Sequence, residues 1–285
     1  MSTKKGGRTK RPRLDWPPIV ERAAEIVRSY STSVTLRQLF YRLVSDGTLP
    51  NTRGAYSTLS DRTAEARRQG TFPDLLDRGR SIHRYRTFPN PQVAGRYVAR
   101  IYRRDRTEGQ EFNVYLGVEK NGMVEQLDAW FGDLGLPILA LAGYSSQTYV
   151  DEVADDIASD NRRAVLLYGG DFDSSGEDID RDFVTRTRSF SKVIRVGLTQ
   201  QQVIDFDLPP QPGQAKDSRA SSFIARHGEL LQVELDALDP DDLQELYKEA
   251  LDEFWEPSAY EVALEREERD REVLRSIRMA EEGDE

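Results

Sequence analysis

The sequence predicts an α/β protein in two parts: an N-terminal helical domain of winged helix-turn-helix type, then a Rossmann-like domain with a mostly parallel sheet and C-terminal helices. Three observations predict it. Strand and helix patterns alternate from Phe112 to Val196, which calls for a mostly parallel sheet with helices on both faces. Three helical stretches before residue 70 lead into a basic, hairpin-like segment, the order of a winged helix-turn-helix. Charge is also segregated. Residues 1–106 carry 23 Lys and Arg against 9 Asp and Glu, and residues 107–285 carry 17 against 41. The net charge of −10 thus hides a basic half suited to nucleic acid. The acidic half can meet a phosphate backbone only where bound cations invert its charge locally.

The totals exclude several chemistries. The chain has 285 residues, room for two domains, and no Cys, so disulfides, thiolate zinc sites and cysteine nucleophiles are absent. Two His (His83 and His227) argue against a histidine metal cage. No apolar run is long enough to cross a bilayer, and no signal-peptide core is visible. A soluble, cytoplasmic, nucleoid-associated protein without a membrane partner is expected.

Residues 1–15 read as a basic, disordered tail. Residues 16–106 are expected to form the DNA-binding domain. Trp16-Pro17-Pro18 starts a helix through about Tyr30, with Ile19, Ala23, Ile26 and Val27 on one face. Thr35 is a good N-cap for Leu36–Ser45, where Leu36, Leu39, Phe40, Leu43 and Val44 make an apolar stripe. Tyr41 falls at the edge of that stripe, one turn from Arg37, so its phenol is expected to reach solvent beside a guanidinium. A third helix, about Gly54–Gln69, is flanked or lined by Arg53, Arg62, Arg67 and Arg68. The segment Thr71–Phe88 reads as a wing carrying Arg78, Arg80, Arg84, Arg86 and His83. The arginines at 53, 62, 67, 68, 80, 84 and 86 are the candidate contacts to double-stranded DNA. A basic helix to about Arg106 closes the domain.

Residues 107–285 form the expected α/β domain. Strands are read at Phe112–Val118, Pro137–Leu141, Val165–Tyr168 and Val193–Val196, with helices at Gly122–Leu134, Gln147–Ser159 and Gly176–Arg188. Pro209–Gly213 reads as a loop, followed by helices at Ser222–Leu231, Asp241–Trp255 and from about Ala259. The last is so charged that it reads as a solvated face or a fraying tail.

The chemistry gathers at strand ends. The third strand runs into GGDFDSSGEDI (169–179), placing Asp171 and Asp173 on a tight turn where open α/β sheets keep their ligands. The first strand ends at Glu119-Lys120, and its acid meets the other two if the strands are neighbours. Such acids repel unless a divalent cation or a proton relieves them. Their hard oxygens suit Mg²⁺, with Mn²⁺ the alternative. Asp178 and Asp180 read as the acidic first turn of the next helix. No ATP site is visible.

A Glu after the first strand, followed by strand-Asp-x-Asp-x-x-Gly, resembles a Toprim domain. TLRQLFY (35–41) resembles the Arg-x-x-aromatic-Tyr stretch of the winged-helix domain in topoisomerase VI A subunits and the meiotic double-strand-break transesterase. The 169–179 segment is similar to that superfamily's G-D-x-D-P-x-G-x-D-I, with Ser174 in place of proline. VELDAL (233–238) resembles its late signature, and the short length is similar to the compact Mini-A subgroup. The resemblance implies that Tyr41 attacks a DNA phosphorus to leave a 5′-phosphotyrosyl link, with Arg37 stabilising the charge. It implies that Glu119, Asp171 and Asp173 hold Mg²⁺, with Lys120 contacting phosphate and Glu177 in an outer metal shell. It further implies a homodimer cutting both strands, with any ATPase a separate subunit. Glu234 and Asp236 are expected to orient helices, and His227 has no evident partner.

Three alternatives share the residues. A Toprim endonuclease would use water and leave Tyr41 structural. A haloacid-dehalogenase-type phosphatase would use Asp171 as nucleophile, although that class places its acids after the first strand of the domain. A winged-helix DNA-binding regulator would need no catalysis.

Overall fold

The computed structural model describes residues 14–30, 32–76, 85–143, 145–212 and 219–281. The chain divides into two compact units, Met1–Leu76 and Asp77–Glu285. No helix among the described residues is long and apolar enough to cross a membrane.

The first unit contains α1 (Trp16–Ser29), α2 (Leu36–Ser45) and α3 (Arg53–Arg68). Two prolines open α1, and Ile19, Ala23, Ile26 and Val27 form its buried face. A capping box starts α2: the Thr35 hydroxyl accepts from the Gln38 N–H, and the Gln38 side chain accepts from the Thr35 N–H. Leu76 closes the unit by donating its N–H to the Val34 carbonyl at 2.9 Å. Arg78, Arg80, His83 and Arg84, on the expected wing, lie outside the described residues.

The second unit opens with α4 (Pro91–Ile101), capped by the Asn90 side chain. It packs against the C-terminal helix α11 (Pro257–Glu281), which places the unit boundary ahead of residue 106. The alternation then unfolds as β1 (Phe112–Val118), α5 (Val124–Phe131), β2 (Ile138–Ala140), α6 (Gln147–Ala158), β3 (Arg163–Gly169), α7 (Gly176–Thr187) and β4 (Phe190–Gly197). All pairings in this sheet are parallel, in the order β2-β1-β3-β4. The buried runs of β1 and β3 follow from their central places, since a parallel sheet is covered on both faces. Tyr115, Leu166 and Tyr168 meet Val150, Val153 and Ile157 of α6 and Ile179 and Phe183 of α7.

Next come α8 (Gln200–Asp205), β5 (Gln211–Pro212), α9 (Ala220–His227), β6 (Leu231–Gln232) and α10 (Pro240–Asp252). The expected Pro209–Gly213 loop contains β5, which pairs antiparallel with β6. Helix α10 packs on β3 and β4, and its Tyr247 hydroxyl donates to the Gly117 carbonyl of β1 at 2.7 Å.

Helix α11 is not merely a solvated face. Ala263 and Glu267 are each 1% exposed. The Glu267 carboxylate accepts two hydrogen bonds from Arg106, at 2.7 and 3.0 Å, so a charged side chain is buried by being paired.

Candidate functional site

The parallel register pairs Val118 of β1 with Gly169 of β3, so the two acid-bearing strand ends lie side by side. The Glu119 N–H donates to the Gly169 carbonyl at 2.9 Å. In return, the Asp171 N–H donates to Oε2 of Glu119 at 2.8 Å. Burial, then the neighbouring Asp171 charge, pushes the Glu119 carboxyl up to about 7. Burial also raises Asp171, against the opposing pull of the Lys120 ammonium.

Lys120 is central to this edge. Its Nζ lies 3.0 Å from Asp171, 3.1 Å from Glu234 and 3.0 Å from Asp236. The last two acids belong to the VELDAL segment, which docks on the acid turn through backbone contacts. Phe172 and Val233 exchange N–H to carbonyl bonds of 2.8 and 3.0 Å, and the Leu235 N–H donates to Oδ1 of Asp171 at 2.8 Å. The late segment therefore both fixes Asp171 and supplies the counter-charges of Lys120.

Asp173 faces the start of α7. Its Oδ1 accepts from the N–H groups of Ser175 at 2.9 Å and Gly176 at 2.6 Å. Gly176 itself is required by close approach. A Cβ there would lie 2.2 Å from the Asp171 carbonyl oxygen and 3.1 Å from Oε2 of Glu119. Gly169 is constrained in the same way by the Tyr247 hydroxyl, 2.5 Å from where its Cβ would be.

Sequence reasoning missed Arg195 on β4. Its guanidinium donates to the carbonyls of Asp171 at 2.8 Å, Gly176 at 3.2 Å and Leu198 at 3.0 Å, tying the acid turn together. The only signal was a lone Arg inside the apolar VIRVG strand end.

Other expected residues lie elsewhere. Glu177 is engaged by α9, with its carboxylate 2.8 Å from Nε2 of His227 and 2.6 Å from Arg226. His227 therefore has a partner, and its ring also packs against Phe172 and Phe223. Asp178 faces Arg219 at 3.6 Å, and Asp180 faces Arg195 at 3.7 Å.

In the first unit, Tyr41 is 4% exposed. The expectation of a phenol open to solvent is corrected. Phe40 packs edge-on against its ring with centroids 5.6 Å apart, and both α1 and α3 pack on α2. Arg37, one turn earlier, is exposed. On α3, Arg53, Arg62 and Arg68 are exposed and Arg67 is half-buried. At about 100° per residue, Arg62 and Arg67 flank the buried stripe on opposite sides, with Arg53 and Arg68 on the face between them. Arg86, in the second unit, lies over the Tyr97 ring of α4 at 4.4 Å.

Among the described residues, no group of three or more His, Asp or Glu side chains is arranged as a ready metal cage. Glu119 and Asp171 share one edge, but Asp171 is turned to Lys120 and Asp173 to the α7 N-terminus. The donor chemistry nevertheless fits a hard cation: the oxygens are carboxylate and partly buried, and burial, then the Asp171 charge, lifts Glu119. No protein-family model matches the chain, and no curated protein matches it.

Proposed function

We propose that this protein is a Mg²⁺-dependent DNA-cleaving enzyme of the topoisomerase VI A type, with a winged helix in its first part and a Toprim domain in its second. The observation that carries the reading is the meeting of Glu119 and Asp171 across β1 and β3, joined by the 2.8 Å bond from backbone to carboxylate. Two acids held at one strand edge suit a divalent cation on a phosphate better than either serves the fold alone.

In this reading Glu119, Asp171 and Asp173 would hold Mg²⁺, which would supply charge stabilisation to the phosphoryl group and the leaving oxygen. Tyr41 is the nucleophile. Its Oη bonds to phosphorus, the bond from phosphorus to the 3′-oxygen breaks, and the phenolic proton leaves to solvent base while the 3′-oxygen is protonated. Arg37 offsets the charge that builds on the phosphoryl oxygens. Lys120, 3.0 Å from Asp171, is the cation at this edge that would contact the phosphate. The enzyme acts as a homodimer on duplex DNA, one protomer's tyrosine serving the other's acids.

A second reading is a metal-dependent endonuclease that uses water, favoured by the 4% exposure of Tyr41. One experiment separates them. Supercoiled plasmid is incubated with the full chain and Mg²⁺, quenched in detergent, and run with and without protease. Transesterification gives protein-linked linear or nicked DNA whose mobility changes on proteolysis, and Tyr41→Phe abolishes it. Free 5′-phosphate ends, formed at full rate by Tyr41→Phe, establish the nuclease. No cleavage by the wild type under any divalent metal rejects both.

A further inference from the structure

We propose that the cleft between α4 and α11 binds the phosphate groups of nucleic acid, at a site apart from the acid-bearing sheet edge. The inference does not rest on strand cleavage, because it concerns different residues and a binding readout.

The cleft is open, about 420 Å³, and lined by Arg96 and Arg100 of α4 and Arg271 and Arg275 of α11. Each pair is four residues apart, so each helix sets two guanidinium groups on one face, about 6 Å apart along its axis. Gly95 and Ala99 line the cleft at the same spacing and are too small to fill it.

The charges are unequally compensated. Residues 85–104 contain five Arg and no Asp or Glu, so α4 carries no acid of its own. Arg96 and Arg100 are exposed, and neither has an ion-pair partner among the described residues. Across the cleft, Arg271 is held by Glu267 at 2.8 Å and donates to the Tyr102 carbonyl at 3.0 Å, while Arg275 meets Glu268 at 2.8 Å. Two anchored cations thus face two uncompensated ones. Planar guanidinium forks match phosphate oxygens two at a time.

An acidic peptide would also satisfy arginines. The aromatic surroundings favour nucleic acid. Tyr97 of α4 has Arg86 over its ring at 4.4 Å, the cleft's Arg100 at 5.4 Å, and Phe88 at 5.2 Å between centroids. Rings beside arginines are what stacked bases and their backbone require together.

The test is fluorescence anisotropy of the full chain with a labelled duplex and with the matching single strand, over a salt series without divalent metal so that nothing is cut. Arg96→Ala/Arg100→Ala is expected to lower the slope of log K against log salt by about 1.8 on duplex or about 1.4 on single strand. The arm whose loss reaches its own expected value identifies the bound form. Arg163→Ala, a substitution of an exposed arginine at the start of β3, should change neither slope. Circular dichroism checks that the double variant is folded. Three results would overturn the inference: an unchanged slope in the folded double variant, an equal loss in Arg163→Ala, or arginine-dependent binding of polyglutamate with none of either nucleic acid.

Discussion

The backbone N–H of Asp171 donates to the side chain of Glu119 at 2.8 Å, across 52 residues of sequence. A candidate metal ligand is therefore also the acceptor that holds the other acid's backbone. The two strand ends are coupled, and a change at one displaces the other.

That coupling makes Gly176 the most sensitive small residue of the site. In Gly176→Ala the new methyl would meet the Asp171 carbonyl at 2.2 Å, so the turn must shift. A loss of about 1–3 kcal/mol is expected, as for overpacked cores. Urea unfolding should show it as a lower midpoint, and cleavage should fall further than stability does.

Glu119→Gln keeps an acceptor for the Asp171 N–H while removing a charge from a crowded, buried edge. Without metal and at a pH above about 7, where the Glu119 carboxyl is ionised, it should stabilise the protein by about 0.5–2 kcal/mol, seen as a raised melting temperature. Saturating Mg²⁺ at about 100 times its Kd should add about 2.7 kcal/mol to the wild type and much less to the variant. A variant that melts lower than wild type without metal would show that its charge is not the liability described.

Lys120→Met leaves Asp171, Glu234 and Asp236 without their shared ammonium. Loss of these charged hydrogen bonds should cost about 1.5–3 kcal/mol at neutral pH. Lys120→Arg should recover part of it. Thermal melts of the two variants side by side decide the matter.

Arg106 and Glu267 provide a pH prediction away from the site. The Arg106 hydrogen bonds hold the Glu267 carboxyl below its ordinary value. Its stabilisation is present above the unfolded value of about 4.3 and is lost as pH falls through the folded value. Arg106→Ala strands a carboxylate that is 1% exposed, at a cost near about 3 kcal/mol because Arg271 still reaches it at 2.8 Å. Acid titration of stability should be steeper in the wild type than in Glu267→Gln.

Much of the second unit was legible because its strands are short apolar runs broken by Gly and separated by amphipathic helices. The β1–β3 neighbourhood was available only as a condition, since sequence does not state strand order. Tyr41 was misjudged because a helical wheel shows which side a residue lies on but not how far its neighbours extend over it. Helix α11 was read from its charge alone, and charge patterning cannot tell a solvated Glu from Glu267, whose partner lies 161 residues away. Arg195 was missed for a related reason. Its partners are backbone carbonyls, which carry no signature in the sequence.

The docking of Val233 and Leu235 on the acid turn has a consequence for the order of events during synthesis. The turn's last tether, from Leu235 to Asp171, spans 64 residues. At about 5–20 residues per second, roughly 3–13 seconds of translation separate the emergence of the acids from the segment that secures them. A nascent chain stopped short of Glu234 would leave Lys120 without two of its three carboxylates. The candidate site would thus be secured only after every strand of its sheet has been made.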